Sequence, residues 1–118
     1  MSTQDVARRF NELAQEGKWD QVLDELFSKD AESIEPAAAQ GLPSVKGLDK
    51  IKAKGKQWAE MIQEVHGGYT NEPQVAGNHF VCTMGVDVTM KGQPRSKMDE
   101  VALYEVRDGK IVKEQFFY

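Results

Sequence analysis

The C-terminal stretch VALYEVRDGKIVKEQFFY (residues 101–118) decides the fold class, because its pattern is that of a β-hairpin. Two runs rich in β-branched and aromatic residues flank Asp108-Gly109, a dipeptide that favours the two-residue type I′ turn. Pairing Arg107 with Lys110 fixes the register of the two strands. In that register, one face of the hairpin is predicted to carry Glu100, Ala102, Tyr104, Gln115 and Phe117.

The opposite face of the hairpin is also partly apolar. It would carry Val101, Leu103, Val112, Phe116 and Tyr118. Because both faces contain large apolar side chains, we expect each to be covered. Helices would cover one face, and a second copy of the chain would cover the other, which predicts a homodimer formed through the outer face of the sheet.

Further strands are predicted before the hairpin. HFVCTMGVDVTM (79–90) is rich in β-branched and aromatic residues and lies between Gly77 and the turn-forming Gly92-Gln93-Pro94. Residues 69–76 form another candidate strand, and residues 96–107 and 110–118 complete the set. Asp87 is an unusual acid within an apolar strand. It would either face the interior or pair with Lys97 across the hairpin, and we favour the pairing.

The first half of the chain has helical periodicity. Val6, Phe10 and Leu13 define one helix between a Ser2/Thr3 cap and Gly17, and Trp19 begins a second helix whose apolar stripe continues to Phe27. A brief strand over 31–36 and a loop over 37–44 should follow. A third helix is then predicted from apolar residues at helical spacing: Leu48, Ile51, Gly55, Trp58, Ala59 and Ile62. Helices followed by antiparallel strands predict a single α+β domain over residues 1–118.

Composition excludes several classes of protein. The 118 residues are 40% hydrophobic and 29% charged, as in globular domains, and no run of about 20 apolar residues is present. The N-terminus has no basic region followed by an apolar core, so we expect a cytoplasmic protein that does not act at a membrane. The net charge of −4 argues against a nucleic-acid partner. Five lysines, at 46, 50, 52, 54 and 56, are predicted to form a solvated helix face.

Neither a metal site nor a cofactor is expected from the sequence. His66 and His79 lack the spacing of metal ligands. Cys82 is the only cysteine, so it cannot form an internal disulfide, and no neighbouring base suggests that it is a nucleophile.

Three segments together resemble the nuclear transport factor 2-like superfamily, of the SnoaL-like and ketosteroid-isomerase kind. They are FNELAQEGKWDQVLDELFSKDAESIEP (10–36), VKGLDKIKAKGKQW (45–58) and the terminal VALYEVRDGKIVKEQFFY. The resemblance covers essentially the whole chain. It implies a cystatin-like roll, in which three helices and a strongly curved, mostly antiparallel sheet form a cone around one apolar pocket. It also implies a homodimer.

The resemblance assigns a role to Glu35. In ketosteroid isomerases the catalytic base is a carboxylate just before a proline, in a segment similar to DDATVEDP, and KDAESIEP places Glu35 at that position. Desolvation in an apolar pocket would raise its pKa and make it a better base near neutral pH. The alternative is an exposed acid at the end of a strand.

The two hydrogen-bond donors that stabilise the oxyanion in ketosteroid isomerases are missing from this sequence. The tyrosine of a segment like RYIEL corresponds to Phe10 in RFNEL, and the partner aspartate falls on Ala102. Loss of one oxyanion donor typically lowers the rate by about 10²–10³, so classical ketosteroid isomerase activity is not expected. Glu100 would lie on the same strand face as Ala102, with Gln115 opposite. The alternative for Glu100 is a solvated position at the start of the strand, which a one-residue slip in register would produce.

These observations predict a protein that binds an apolar small molecule in a pocket with one or two acids. The residues expected to line the pocket, besides Glu35 and Glu100, are Phe10, Trp58, Ala102, Tyr104, Gln115 and Phe117. The alternative is a cofactor-independent acid–base enzyme, an isomerase, cyclase or dehydratase acting on an apolar carbonyl substrate. Glu35 would then be the base, and Glu100 or Gln115 the acid or donor. A third hypothesis is an interaction module whose own side chains fill the pocket.

Overall fold

The computed structural model describes residues 1–37 and 42–118, so half of the predicted loop over 37–44 lies outside the described residues. The described residues form three helices and seven strands. The helices are α1 (Thr3–Gln15), α2 (Trp19–Leu26) and α3 (Leu48–Met61). The strands are β1 (Phe27–Ile34), β2 (Val45–Lys46), β3 (Ile62–Thr70), β4 (Gln74–Ala76), β5 (His79–Met90), β6 (Arg95–Arg107) and β7 (Lys110–Phe117).

Helix α1 begins and ends as its sequence predicts. Ser2 accepts a hydrogen bond from the backbone N–H of Asp5, and the Asp5 carboxylate accepts one from the backbone of Ser2, which completes a capping box. Gly17 follows the helix with a φ of 71°, a left-handed conformation in which glycine is favoured. Phe10 and Leu13 on this helix are buried in the core.

Two predicted boundaries between helix and strand are wrong. Helix α3 ends at Met61, and strand β3 begins at Ile62, whereas the sequence pattern extended the helix and placed the next strand at 69–76. Strand β1 likewise begins at Phe27 rather than at Ala31. Both segments have a partner in the sheet, because Ile62 pairs with Met90 and Phe27 pairs with Ile111. Sheet pairing therefore overrides the helical spacing of the local sequence.

The strands form one curled sheet with the order β2-β1-β7-β6-β5-β3, and β4 also pairs with β5. All of these pairs are antiparallel except β1 with β7, which is parallel. The three helices cover the inner face, where their buried residues pack against Phe80, Tyr104 and Ile111. The α+β prediction, with three helices on a mostly antiparallel sheet, is confirmed.

The hairpin between β6 and β7 has the predicted turn but not the predicted register. Asp108 and Gly109 have φ values of 51° and 75°, as the type I′ turn requires. A bulge then follows, because Val106 pairs with Ile111 while Glu105 pairs with Lys113. The unpaired Val112 shifts the rest of β7 by one residue.

The bulge reverses which β7 side chains face inward. Ala102 lies opposite Phe116, and Tyr104 lies opposite Glu114. Gln115 and Phe117 therefore lie on the outer face, and their predicted placement beside Glu100 was wrong. The shift moves every later side chain on β7 to the other face, because side chains alternate along a strand.

The outer face carries both ion pairs and exposed apolar side chains. Asp87 lies opposite Lys97 across the hairpin, as expected, but its carboxylate accepts its hydrogen bonds from Arg95, at 3.0 and 2.7 Å. Val101 and Phe117 are 37% and 47% exposed.

Over the described ranges, none of the helices has the length and apolar character needed to cross a membrane.

Candidate functional site

Five polar side chains gather beneath α3 on the inner face of the sheet, and we refer to them as the polar cluster. They are Ser33, Glu35, Lys54, Glu100 and Glu114. Three of the five are acids, and one is a base. Burial of several ionisable groups at one place is unusual in a structural core and is typical of functional sites.

The Glu35 side chain is buried just after the end of β1 rather than exposed in a loop. Its side chain is 7% exposed, and its backbone N–H donates to the Ser44 hydroxyl at 2.9 Å. Its Oε1 atom lies 3.9 Å from the Lys54 ammonium. Its Oε2 atom is buried and has no hydrogen-bond partner of good geometry within residues 1–37 and 42–118, although the Tyr118 hydroxyl lies near the carboxyl.

The surroundings of Glu35 shift its pKa upward. Burial raises the pKa of the carboxyl above its usual range, and the nearby Lys54 ammonium and Tyr118 hydroxyl partly oppose that shift. The placement matches the one expected from the segment KDAESIEP. The role of Glu35 in chemistry stays a prediction.

Lys54 belongs to the polar cluster and not to the predicted solvated lysine face. Its side chain is 8% exposed, and its ammonium donates to the Ser33 hydroxyl at 2.5 Å. It also lies 5.9 Å from the centroid of the Phe116 ring. Lys54 is on the buried side of α3 because it follows buried Ile51 by three residues, a spacing that the lysine pattern concealed.

Glu114 was missed by the sequence analysis. It lies opposite Tyr104 and beside Ser33 on the parallel strand, and it is 8% exposed. Burial raises its pKa to about 7, although the Ser33 hydroxyl and the Lys54 ammonium act in the opposite direction. No motif marks this residue, and only the bulge at Val112 brings it to the inner face.

Glu100 is half-buried on β6 at the same face. Burial raises its pKa to about 7, and the charges of Glu35 and Glu114 raise it further, while Lys54 opposes the shift. Residues 100, 102 and 104 alternate along β6, so Glu100 lies on the same strand face as Ala102 and Tyr104. Because three carboxyl groups interact here, the cluster is expected to gain and lose protons as a unit.

Some predicted pocket residues instead form a packed core. The ring of Phe10 lies 5.2 Å from that of Phe80 and 4.8 Å from that of Tyr104, centroid to centroid, and all three side chains are buried. Ala102 is also fully buried, between this core and Glu100 along β6. Trp58 is half-buried on α3, in line with Ile51 and Lys54.

Other candidate sites have little support. Burial raises the pKa of the Cys82 thiol to about 11, which keeps it protonated and unreactive near neutral pH. Where the structure describes the chain, no three His, Cys, Asp or Glu side chains are grouped to hold a metal ion. Two clefts lie away from the polar cluster, one at His79, Leu103, Glu105, Lys113 and Gln115, and the other at Asp20, Leu23, Asp24 and Lys52.

Several proteins of known structure are similar in fold to this chain. One of them is a protein from Mesorhizobium loti, which is provisionally described both as a SnoaL-like polyketide cyclase and as a carbohydrate phosphatase. It is 34% identical to this chain, with a TM-score of 0.92, and the match covers 100% of each chain. An NTF2-like protein of unknown function from Burkholderia pseudomallei is 20% identical, with a TM-score of 0.78, over 100% of this chain and 92% of the other.

A cystatin-like protein of unknown function from Xanthomonas campestris shows the same fold. It is 21% identical, with a TM-score of 0.80, over 99% of this chain and 90% of the other. No functionally curated protein matches the sequence. The family model of the SnoaL-like domain, however, matches residues 1–118. The chain therefore belongs to the SnoaL-like domain family.

Proposed function

We propose that this protein binds a small, largely apolar organic molecule at the polar cluster. The observation that carries the proposal is the buried Glu35 Oε2 atom, which has no partner in the described parts of the chain. A buried carboxylate oxygen without a hydrogen bond destabilises the folded state by about 1–3 kcal/mol or more. A ligand that donates to this oxygen would remove that penalty on binding.

The neighbouring side chains indicate the character of the ligand. Met84, Ala102 and Phe116 are apolar residues of the inner face, and they flank the carboxyl groups of Glu100 and Glu114 on β5, β6 and β7. Such a surface suits an apolar body with few polar atoms. The polar atoms would lie at the end that meets Glu35 and Lys54.

Thermal unfolding with 2-naphthol as the probe tests this proposal. A molecule that binds only the folded chain raises the midpoint in proportion to the logarithm of its concentration at saturation. We expect such a rise for the wild type and a smaller rise for Glu35→Gln, because the substitution replaces a carboxylate acceptor with an amide. Glu32→Gln, at an exposed position on the same strand, should behave as the wild type. Equal shifts in all three proteins, or no shift in the wild type, would contradict the proposal.

An acid–base enzyme is a second candidate function, and the carboxyl groups favour it. Glu100 and Glu114 both have pKa values of about 7, so near neutral pH one can donate a proton while Glu35 accepts one. The chemistry would be isomerisation, cyclisation or dehydration of a carbonyl compound without a cofactor. The provisional description of the Mesorhizobium loti relative as a polyketide cyclase points the same way.

Hydrogen exchange separates binding from catalysis. NMR would follow the exchange of α-hydrogens of 2-tetralone into D₂O at neutral pH, with and without protein. An enzyme should accelerate the exchange, and Glu35→Gln should abolish the acceleration while 2-naphthol still binds. A binding protein would leave the exchange rate unchanged in both forms.

We also propose that two copies of the chain associate through the outer face of the sheet. Exposed Val101 and Phe117 lie opposite each other on β6 and β7, with half-buried Leu103 beside them, and together they form an apolar strip. Light scattering of the eluted protein should give twice the chain mass. Phe117→Glu should reduce it to the mass of one chain, and a monomeric wild type would contradict the proposal.

A further inference from the structure

The polar cluster holds more acidic groups than basic ones. Glu35, Glu100 and Glu114 are acids, and Lys54 is the base among the five members. The Lys54 ammonium lies 3.9 Å from Glu35 Oε1 and donates to the Ser33 hydroxyl. A single ammonium balances the charge of a single carboxylate. Ionisation of a second acid therefore places a buried negative charge in the cluster without a positive partner there, which is unfavourable.

The side chains around the cluster do not supply a second positive charge. The groups that face the acids are the Tyr118 hydroxyl beside Glu35, the Cys82 thiol, and the Tyr104 hydroxyl. Burial raises the pKa of all three, so they are neutral near pH 7. In the described parts of the chain, Lys54 is the only cation among the groups that shift the pKa values of the three acids.

The protein alone can relieve the excess of acid only by binding protons. The pKa values of Glu100 and Glu114 are both raised to about 7. Burial is the main cause at both residues, and the charge of Glu35 raises both values further. A cation bound within the cluster would stabilise the same carboxylates in place of these protons.

The unpartnered oxygen of Glu35 offers a position for such a cation. The Glu35 side chain is 7% exposed, and its Oε2 atom is the buried side-chain atom without a hydrogen-bond partner among residues 1–37 and 42–118. Lys54 lies beside the other oxygen, Oε1. A charged N–H donor at Oε2 would form a charge-assisted hydrogen bond, which is stronger than one from a neutral donor. Because folding has already removed water from these carboxyl groups, binding would desolvate mainly the ligand.

We infer that the ligand is an organic cation, a protonated amine on an apolar body, whose N–H group donates to Glu35 Oε2. The inference rests on the proposed small-molecule site and deepens it by naming the ligand class. Lys54 repels such a cation, but the three carboxyl groups outweigh it once two of them are ionised. The apolar body would lie against Ala102 and Phe116 on the inner face.

The experiment compares three probes that share one ring system and differ in charge. At pH 8, 2-(aminomethyl)naphthalene is a cation, 2-naphthalenemethanol is neutral and 2-naphthoate is an anion. Calorimetry should show that the amine binds about 10-fold more tightly than the alcohol, and that naphthoate binds most weakly. An alcohol that binds as tightly as the amine, or naphthoate as the tightest probe, would overturn the inference but leave the small-molecule site intact. No binding of any probe to the wild type would overturn both.

The pH dependence of binding tests the same inference without a variant. A bound cation lowers the pKa values of Glu100 and Glu114, so binding releases protons, and the affinity for the amine should rise from pH 6 to pH 8. Binding of the alcohol should change much less over this range. Calorimetry at pH 7 in buffers of different ionisation enthalpy counts the protons released. An amine that binds without releasing protons would overturn the inference.

Substitutions locate the cation. Glu35→Gln should weaken binding of the amine by about 10–100-fold, and binding of the alcohol much less. Glu32→Gln, at an exposed position on β1, removes the same unit of charge and is the matched control, which should bind all three probes as the wild type does. Glu114→Gln covers the case in which Glu35→Gln does not fold, and it should release fewer protons with the amine. Affinities and proton counts for the amine that are unchanged in both cluster variants would overturn the inference.

Discussion

Two groups of side chains occupy the same inner face of one sheet, and they differ in how completely the protein satisfies them. At Phe10, Phe80 and Tyr104, which we call the aromatic cluster, ring centroids are 4.8 to 5.2 Å apart and every side chain is buried. At the polar cluster, a buried carboxylate oxygen has no partner in the described residues, and two carboxyl groups have pKa values near 7.

The same strands build both clusters. Strand β6 contributes Tyr104 to the aromatic cluster and Glu100 to the polar cluster, and Glu114 on β7 lies directly opposite Tyr104. The difference is therefore not one of secondary structure. One cluster is complete without a ligand and stabilises the fold. The other is left incomplete at a stability cost, which is typical of a binding or catalytic site.

The largest effect is expected from removing a ring of the aromatic cluster. Phe10→Ala should destabilise the protein by about 3–5 kcal/mol, because the substitution leaves a cavity between α1 and the sheet. Urea denaturation measures the change. Trp19→Ala is the comparison, since that ring contacts Phe10 edge-on but is 41% exposed, and it should destabilise the protein less. Equal losses would mean that the aromatic cluster is not the centre of the core.

The next largest effect is the pH dependence of stability that arises from the polar cluster. The pKa of Glu114 is raised to about 7, so its contribution to stability is fully present below the unfolded pKa of about 4.5 and is lost as pH rises through 7. Glu114→Gln removes this loss. The variant should therefore gain about 2–3 kcal/mol relative to the wild type between pH 5 and pH 8.

Denaturant unfolding at several pH values would measure this difference. The quantity to compare is the free energy of unfolding of Glu114→Gln minus that of the wild type, so that titration of other groups largely cancels. Glu72→Gln, at an exposed position between β3 and β4, is the control and should show no trend. A difference that stays constant from pH 5 to pH 8 would show that burial of Glu114 does not disfavour its charged form.

The contrast between the clusters also explains what the sequence could predict. Helical spacing placed Phe10 on the apolar face of the first helix, the Asp108-Gly109 dipeptide located the last hairpin, and the carboxylate before Pro36 identified Glu35. These are local signals. Glu114 was missed and Gln115 and Phe117 were misplaced, because one unpaired residue at Val112 shifts the register and no residue type marks a bulge.

Lys54 shows a second limit on what can be predicted from the sequence. Its neighbours at 50, 52 and 56 are exposed lysines, so composition alone predicted a solvated face. Burial of Lys54 depends on Ser33 and Glu114, which are distant in sequence and meet it only after β1 pairs with β7. Tertiary pairing, not local pattern, selects one lysine of five for the interior.

The smallest effect is expected where a carboxylate is paired at the surface. Arg95 donates two hydrogen bonds to Asp87 on the outer face, and this contact lowers the pKa of Asp87, opposite in direction to the shift at Glu114. The arginine side chain is 60% exposed, so Arg95→Ala should change stability only slightly, because solvent screens the pair. Urea denaturation in low and high salt would measure the loss of stability, which should shrink as salt screens the pair.

A loss of stability as large as that of Phe10→Ala would mean that ion pairs, rather than packing on the inner face, hold the sheet together. A small loss would confine the effect of charge to the polar cluster, where burial makes each carboxylate depend on Lys54, Ser33 or a ligand.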